Sequence, residues 1–433
     1  MPALRRFAIA ITLGLFVLLA ADGQRFPGSG LVALADDGDG DGGDGGGGGG
    51  GSDGAGGGAD DDDDDDEDTP AAQRSTRRGD MALREVLAAG LNRAQLATLT
   101  QRGYEVLGER GNALMGQRVL LLRAPVAALL RDPVAEVRAL GRNVLADRNH
   151  YYRSNQGEAG AAQALLQLAA WPAPAQRCSA GVPIGLIDTA VDLGHPSLRG
   201  APVRVLALPG KDGLAPSDPS HGTALAALLV GQGAGLPALA PRGRLLAVDA
   251  FQRGPLGDQR MEAWDLLAAL DTVVGGGARV VNMSFAGGAN TLLAQALERM
   301  HRRGIVTVAA VGNRGPRAAP QYPAAYPDVV AVTAVGADRQ VYHRAGRGAH
   351  VDLAAPGVDI PTAEAGGTAG LRSGTSFATP FVTAAVAAAQ RQRARPVAAM
   401  QRLLADSAQD LGAPGRDPVY GHGLLQAARL CRS

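Results

Sequence analysis

Four polar residues stand where an apolar stretch of the sequence ends or begins, and together they supply the groups needed for nucleophilic catalysis. A serine hydroxyl can attack a carbonyl, an imidazole can accept the proton of that hydroxyl, and a carboxylate can orient the imidazole. An amide N–H can stabilise the oxyanion that forms. The four residues are Asp188, His221, Asn313 and Ser376.

Each of these residues, taken singly, has an ordinary structural explanation. Asp188 and Ser376 could cap a helix or form a turn, His221 could be a structural histidine, and Asn313 could be a turn residue before Gly315. It is improbable that all four explanations hold at once. The groups also occur in the order Asp, His, Ser, which is one of three chain orders known for this set of catalytic groups. Their combination favours a serine hydrolase.

The elements that must position these residues follow an alternating pattern from about residue 160 to 433. Apolar, β-branched runs alternate with helix patterns, which predicts an α/β fold with a largely parallel sheet and helices on both faces. Such sheets carry their sites at the carboxyl ends of the strands. The predicted strands are 183–187, 203–207, 244–248, 279–283, 305–311, 329–335 and 351–354, and the predicted helices are 222–230, 261–274, 291–302, 376–392 and 397–406.

Three blocks around the candidate residues resemble the signature blocks of the subtilisin-like serine proteases, or subtilases. They are Ile187-Asp188-Thr189-Ala190-Val191, His221-Gly222-Thr223 and Gly374-Thr375-Ser376-Phe377-Ala378-Thr379-Pro380. Weaker matches to the family occur at residues 282–287, 310–313, 351–357 and 420–425. The resemblance assigns residues 157–433 to a subtilisin-like peptidase domain.

The resemblance implies an exported bacterial zymogen that becomes a secreted serine endopeptidase acting on polypeptides. Asp188, His221 and Ser376 would form the catalytic triad, and Asn313 would donate to the oxyanion. The residues expected to bind substrate are Ser284, Phe285, Ala286 and Gly312. No cofactor is required for this chemistry, no metal ligands are assigned, and a structural Ca²⁺ has no support in the sequence.

Three positions depart from the family pattern. Ala190 stands where glycine is usual, and Ala224 and Phe381 each stand where histidine is common. None of these departures removes one of the four chemical groups. They affect the surroundings of the predicted site and leave its chemistry in place.

The N-terminal part of the chain divides into two segments before the first folded domain. Residues 1–35 contain Arg5, Arg6 and an apolar run over residues 7–21, which predicts a signal peptide and export to the periplasm or beyond the cell. The alternative is an uncleaved anchor that tethers the protein to the membrane. Residues 36–79 form a Gly/Asp-rich linker that lacks the apolar residues needed to fold.

Residues 80–153 predict a small α+β domain. The pattern gives a helix at 93–102, strands at 104–107 and 118–122, a helix at 126–140 and a strand at 143–146. By resemblance this is a propeptide that acts as an intramolecular inhibitor. Its tail, residues 149–154, is expected to pair as a strand with residues 283–287, and cleavage is expected within residues 153–160.

Composition excludes several classes of protein. The chain has 42 basic and 42 acidic residues, but fifteen of the acids lie between residues 36 and 68, so the remainder carries a diffuse positive excess without interleaved aromatic residues. This does not favour nucleic-acid binding. Two cysteines exclude a disulfide scaffold. Cys178 and Cys431 could form one disulfide or remain free, and a monomer is expected.

Three rival interpretations each fit part of the sequence. A subtilase-like domain used only for binding would not need all four chemical groups. The glycines of residues 231–235 suggest a dinucleotide site, but they follow a helix, whereas that motif must follow a strand. The related carboxyl-type serine peptidases use a glutamate base at acid pH, and the His221 block and Asn313 argue against that class.

Overall fold

The computed structural model describes residues 81–154, 167–171, 181–209, 211, 216–232, 238–254, 258–391 and 395–430. They belong to one compact unit, Asp68–Ser433. The predicted signal peptide and linker, Cys178, Cys431 and part of the glycine run at 231–235 lie outside the described residues. The predicted cleavage region lies partly outside them.

One seven-stranded sheet is parallel throughout, which confirms the predicted α/β fold class. Its seven strands lie in the order β14-β13-β12-β10-β5-β7-β6. The central strands are buried along most of their length, as expected for a sheet covered on both faces. The strands are β5 Pro183–Asp188, β6 Val203–Val205, β7 Arg244–Asp249, β10 Val280–Met283, β12 Val306–Ala310, β13 Val329–Val335 and β14 Leu353–Pro356.

Helices cover this sheet in two packed pairs. Among the described helices, Ser220–Val230 contacts Thr375–Ala389, and Ala263–Gly275 contacts Thr291–Arg302. The helices are α1 Arg93–Gln101, α2 Pro133–Arg138, α3 Ser220–Val230, α4 Ala263–Gly275, α5 Thr291–Arg302, α6 Thr375–Ala389, α7 Val397–Ser407 and α8 Ala427–Leu430. Short 3₁₀ helices occur at Val126–Leu130, Pro196–Leu198 and Ala365–Gly367.

Within this compact unit, residues 81–154 form an antiparallel sheet in the order β2-β3-β1-β4, with α1 and α2 packed on it around a core of its own. We refer to this part as the N-terminal domain and to the part with the parallel sheet as the second domain. Its strands are β1 Met81–Ala89, β2 Glu105–Asn112, β3 Gln117–Arg123 and β4 Leu145–Ser154. The sequence pattern missed β1 because its residues are mostly good helix formers, and pairing with β3 and β4 overrides that local preference.

Two further predictions in this domain were wrong in detail. The helix expected at 126–140 is divided into a 3₁₀ turn and α2, because Asp132 has a positive φ of 61° and Pro133 opens the second helix. The last strand is longer than the predicted 143–146 and runs to Ser154. It leaves its own sheet and continues between β9 Gln259–Glu262 and β11 Phe285–Gly287 of the second domain.

The second domain also departs from the predicted pattern at its loops. Residues 261 and 262 belong to β9 and not to the following helix, which begins at Ala263. β9 pairs on its other side with β8 Gln252–Arg253. An antiparallel hairpin, β15 Ile360–Glu364 and β16 Thr368–Arg372, was not predicted. It leads directly into the segment that carries Ser376.

Candidate active site

Asp188 and His221 form a buried hydrogen-bonded pair. Asp188 is the last residue of β5, and His221 is the second residue of α3. The His221 Nδ1 atom lies 2.7 Å from Asp188 Oδ1, and the same oxygen accepts the backbone N–H of Thr189 at 2.8 Å. Both side chains are almost fully buried. The carboxylate therefore fixes the orientation of the ring and favours the tautomer with a proton on Nδ1.

The loop after Asp188 and the start of α3 are tied together by further hydrogen bonds. The N–H of Gly222 donates to Thr189 Oγ1 at 2.9 Å, and the N–H of Asp192 donates to Thr223 Oγ1 at 2.8 Å. A Cβ atom on Gly222 would lie only 2.3 Å from the carbonyl oxygen of Thr189. Glycine next to the histidine is thus required for the close approach of the two segments.

Ser376 is the second residue of α6 and is fully buried. The ring of its neighbour Phe377 meets the His221 ring edge to face, with centroids 5.5 Å apart. The hydroxyl of Ser284 donates to the Ser376 carbonyl at 2.9 Å. These two contacts bring the start of α6 beside the histidine on one side and beside the β10–β11 junction on the other.

Asn313 lies just beyond the end of β12, with its side chain held by the segment that carries the serine. Its Oδ1 accepts both the N–H and the hydroxyl of Thr375, at 3.1 and 2.9 Å. This arrangement assigns Nδ2 as the free end of the amide. Asn313 Nδ2 and His221 Nε2 are both buried and have no hydrogen-bond partner within the described residues. Buried polar atoms in this state are costly unless a ligand satisfies them.

Two of the four predicted substrate-binding residues lie on β11, which pairs with β4. Phe285 and Ala286 pair with Ser154 and Arg153 of β4. Ser284 is buried, and its hydroxyl faces Ser376. Gly312 has a φ of +94°, and a Cβ atom there would lie 2.5 Å from the side-chain oxygen of Gln321. Only glycine fits this position without strain.

The three departures from the family pattern are accommodated by local packing. The N–H of Ala190 donates to the hydroxyl of Ser217 at 2.9 Å. Ala224 is buried within α3. Phe381 is buried and meets the ring of Trp171 edge to face, with centroids 5.6 Å apart. Ala224 and Phe381 therefore fill apolar space.

No described helix is both long enough and apolar enough to cross a membrane. Within the same described ranges, no group of three or more His, Cys, Asp or Glu side chains is arranged to hold a metal ion.

The sequence pattern located the polar residues but missed several that position them. Thr375 holds the Asn313 amide, and β9 pairs with the edge of β4 opposite β11. Asp249 ends β7 directly beside Asp188 in the sheet register. The rule that selected Asp188, a polar residue at the end of a buried strand, would also have selected Asp249.

We predict that Gly222→Ala destabilises the protein by about 1–3 kcal/mol, because the added methyl group meets backbone carbonyls that cannot rotate away. The measurement is the free energy of unfolding in chains that also carry Ser376→Ala, which removes the candidate nucleophile. Gly275→Ala is the matched control, because a Cβ atom on Gly275 of α4 meets nothing within 4 Å. It should be neutral or up to about 1 kcal/mol more stable. Equal stability of the two variants would contradict the close-approach explanation.

Comparison with known proteins gives a consistent result. The profile of the subtilase family matches residues 179–423. The chain is 32% identical to the minor extracellular protease Epr of Bacillus subtilis (strain 168) over 213 aligned residues. The alignment covers 48% of this chain and 32% of Epr. It is also 32% identical to thermitase of Thermoactinomyces vulgaris over 249 aligned residues. That alignment covers 55% of this chain and 88% of thermitase.

The fold is similar to that of fervidolysin from Fervidobacterium pennivorans, a keratinolytic enzyme related to subtilisin. The TM-score is 0.70 at 20% identity, and the match covers 82% of this chain and 62% of fervidolysin. The chain thus spans about a third of the length of Epr but most of thermitase. The family profile takes in more than half of the chain and contains Asp188, His221, Asn313 and Ser376. This chain belongs to the subtilase family.

Proposed function

We propose that the protein is a serine endopeptidase whose triad is Asp188, His221 and Ser376. The observation that carries the proposal is the buried 2.7 Å hydrogen bond between His221 and Asp188, at the carboxyl edge of the parallel sheet and beside the start of α6. A buried carboxylate–imidazole pair of this kind prepares the ring to accept a proton. Membership of the subtilase family supports the same assignment.

In this mechanism the Ser376 hydroxyl attacks the carbonyl carbon of the scissile peptide bond. His221 takes the hydroxyl proton on Nε2 and then gives it to the leaving amine. Asp188 keeps the proton on Nδ1 and stabilises the imidazolium that forms. Water then repeats the sequence on the acyl-enzyme, which releases the second product and restores the serine.

The oxyanion would be stabilised by Asn313 Nδ2 and the backbone N–H of Ser376. The absence of a hydrogen-bond partner for Nδ2 among the described residues supports this role, because a preorganised donor needs no rearrangement when charge develops. Phe285 and Ala286 would pair with the substrate backbone as they pair with β4. Ser284 and Gly312 would shape the cleft around the reacting carbonyl.

We predict that a fluorophosphonate probe labels the wild-type protein and that Ser376→Ala abolishes both the labelling and the cleavage of a quenched peptide substrate. The probe reacts with activated serines, so labelling requires the triad and not merely the fold. Ser197→Ala is a matched control, because this buried serine lies outside the proposed triad. A wild-type protein that folds but neither reacts with the probe nor cleaves any peptide would be a binding domain of the same family.

We predict that Asn313→Ala lowers kcat by about 10²–10³-fold and leaves KM nearly unchanged, because one oxyanion donor is lost in the transition state only. Steady-state kinetics on the same peptide measure both constants. Asn290→Ala provides a contrast, because Asn290 caps α5. Its loss should reduce the stability of the protein while kcat is retained. A loss of kcat below about tenfold for Asn313→Ala would remove Asn313 from this role.

The N-terminal domain would act as an inhibitor within the same chain. β4 fills the cleft as a strand between β9 and β11, which is the path an extended substrate would take. Tyr152 anchors it: the side chain is fully buried, its hydroxyl donates to the Gly288 carbonyl at 3.1 Å, and its ring meets Phe285 edge to face. Cleavage within residues 153–160 would separate the domains as a product complex.

Polar contacts with α4 and α5 support docking of this domain outside the cleft. The carboxylate of Asp271 accepts the N–H groups of Ala113 and Leu114, at 3.2 and 2.9 Å. Asp147 accepts the N–H of Thr291 at the start of α5, at 2.7 Å, where the helix dipole favours a negative charge. The Arg110 guanidinium lies over the Trp264 ring and pairs with Asp265.

Export and self-processing complete the proposal. An N-terminal signal peptide (1–35) would direct the chain out of the cytoplasm, and the linker (36–79) would separate it from the inhibitory domain (80–153) and the peptidase domain (157–433). The relative Epr is described as extracellular, which supports export. An uncleaved signal would leave the enzyme tethered to the membrane.

We predict that the wild-type protein recovered outside the cytoplasm begins within residues 153–160, whereas Ser376→Ala keeps its N-terminal domain. N-terminal sequencing of both proteins from the same cells measures this. A mature N-terminus upstream of residue 140 would contradict self-processing at the cleft. Processing of the Ser376→Ala chain at the same bond would assign the cleavage to another protease.

Docking of the two domains brings carboxylates together around Asn149. The Nδ2 atom of Asn149 donates to Glu85 Oε2 at 2.8 Å and to Glu262 Oε2 at 2.7 Å. Burial raises the pKa of Glu262, and the charges of Glu85 on β1 and Asp265 on α4 raise it further, whereas Asn149 and Arg260 on β9 lower it. A docked carboxyl group with a raised pKa binds protons more tightly, so docking is stronger at low pH and weakens as pH rises through that raised value.

We predict that undocking becomes easier as the pH rises above the ordinary pKa of a glutamate carboxyl group, and that Glu85→Gln reduces this pH dependence, because it removes one of the like charges that raise the pKa of Glu262. All chains carry Ser376→Ala and Trp171→Phe, so that Trp264 is the one remaining tryptophan of the two in the sequence. The urea concentration at the midpoint of the change in Trp264 emission then reports the stability of docking. Glu109→Gln is the control, because Glu109 pairs with Arg118 on the exposed side of the same domain. The prediction is contradicted if the urea midpoint depends on pH in the same way in the parent chain, the Glu85→Gln chain and the Glu109→Gln chain.

A further inference from the structure

A second carboxylate stands next to Asp188 and is not part of the proposed triad. Asp249 ends β7, and its backbone is opposite Asp188 in the parallel register. Both of its side-chain oxygens bind Ser217: Oδ2 accepts the Ser217 N–H at 3.0 Å, and Oδ1 accepts the Ser217 hydroxyl at 2.7 Å. This two-point contact fixes both the backbone and the side chain of Ser217.

Ser217 connects the two segments that carry the acid and the imidazole. It lies four residues before His221 and is itself buried. Its hydroxyl donates to Asp249 and accepts the N–H of Ala190, two residues after Asp188. The hydrogen bonds Asp249–Ser217–Ala190 therefore span from β7 to the loop that follows β5. This connection is independent of the direct bond between Thr189 and Gly222.

We propose that Asp249 and Ser217 are positioning residues for catalysis, which set the distance and angle between the Asp188 carboxylate and the His221 ring. The proposal rests on the triad assigned above. Neither Asp249 nor Ser217 lies on β9 or β11, the strands that would pair with a substrate. Their effect on the reaction would therefore be transmitted through Asp188 and His221. Small errors in the placement of catalytic groups reduce turnover strongly.

Lys211 keeps the charge of Asp249 partly neutralised. It is the chain's one lysine, its ammonium group donates to the Phe251 carbonyl, and it lies 4.0 Å from Asp249 Oδ1. Asp249 Oδ1 also accepts the N–H of Phe251 at 3.3 Å. The Asp249 carboxylate thus has donors on several sides, which explains how it can lie beside Asp188 without competing with Asp188 for the His221 ring.

The test compares Ser217→Ala, Ser217→Thr and Asp249→Asn with the wild type, with active sites titrated by the fluorophosphonate probe. We expect Ser217→Ala and Asp249→Asn to lower kcat per titrated site by on the order of tenfold, with KM for Ser217→Ala unchanged. Ser217→Thr keeps the hydroxyl and should retain most of the activity. In Ser217→Ala, which changes no charge, the acid limb of the pH profile of kcat/KM should move to lower pH, because a looser Asp188 stabilises the imidazolium less.

A purely structural role would give a different result. Fewer sites would then titrate, but each would keep the wild-type kcat and the wild-type acid limb, and this outcome would overturn the proposal. Asp338→Asn is the matched control, because its carboxylate also accepts a backbone N–H, that of Gln340, in a loop that holds no proposed catalytic residue. If the wild type neither reacts with the probe nor cleaves the peptide, the proposed function fails. If the wild type is active and the variants have the same kcat per titrated site, only the positioning proposal fails.

Discussion

The hydrogen bond between Asp188 and His221 is the constraint on which the rest of the structure depends. Removing a carboxylate and an imidazole from water is unfavourable unless each satisfies the other. The fold meets this requirement by ending β5 at the acid and beginning α3 at the imidazole, so that the partners come from two rigid elements. Gly222 permits the close approach, and Thr189 and Ser217 hold the loop in place.

The same edge of the sheet also supplies the amide and the alcohol. Asn313 follows β12, and Ser376 lies in the first turn of α6, whose preceding residue Thr375 binds the Asn313 side chain. Four segments that are distant in sequence therefore meet because parallel strands all end on one side. The geometry of the site is a property of the sheet and not of any single loop.

The sequence was informative where a local signal existed. The polar residues at strand ends and helix starts were located correctly, and so was the parallel sheet, because continuous apolar runs report burial on both faces. The strand β1 was missed because Met81–Ala89 has a helical composition, and its state is decided by pairing with β3 and β4. The predicted helix at 261–274 wrongly includes the last two residues of β9 for a similar reason, since the partner strand β4 is more than a hundred residues away.

β4 pairs through its backbone with one strand on each of its edges, and this has a consequence for what the enzyme would digest. Two strand edges, β9 and β11, become open once β4 departs, and each offers main-chain donors and acceptors at fixed spacing. A polypeptide can satisfy both edges only if several consecutive residues are fully extended and unpaired at once. Helices and the interior strands of intact proteins cannot meet that condition. Under the proposed function, the enzyme would therefore select targets by their conformational state, and it would remove unravelled chains while it spares well-folded neighbours.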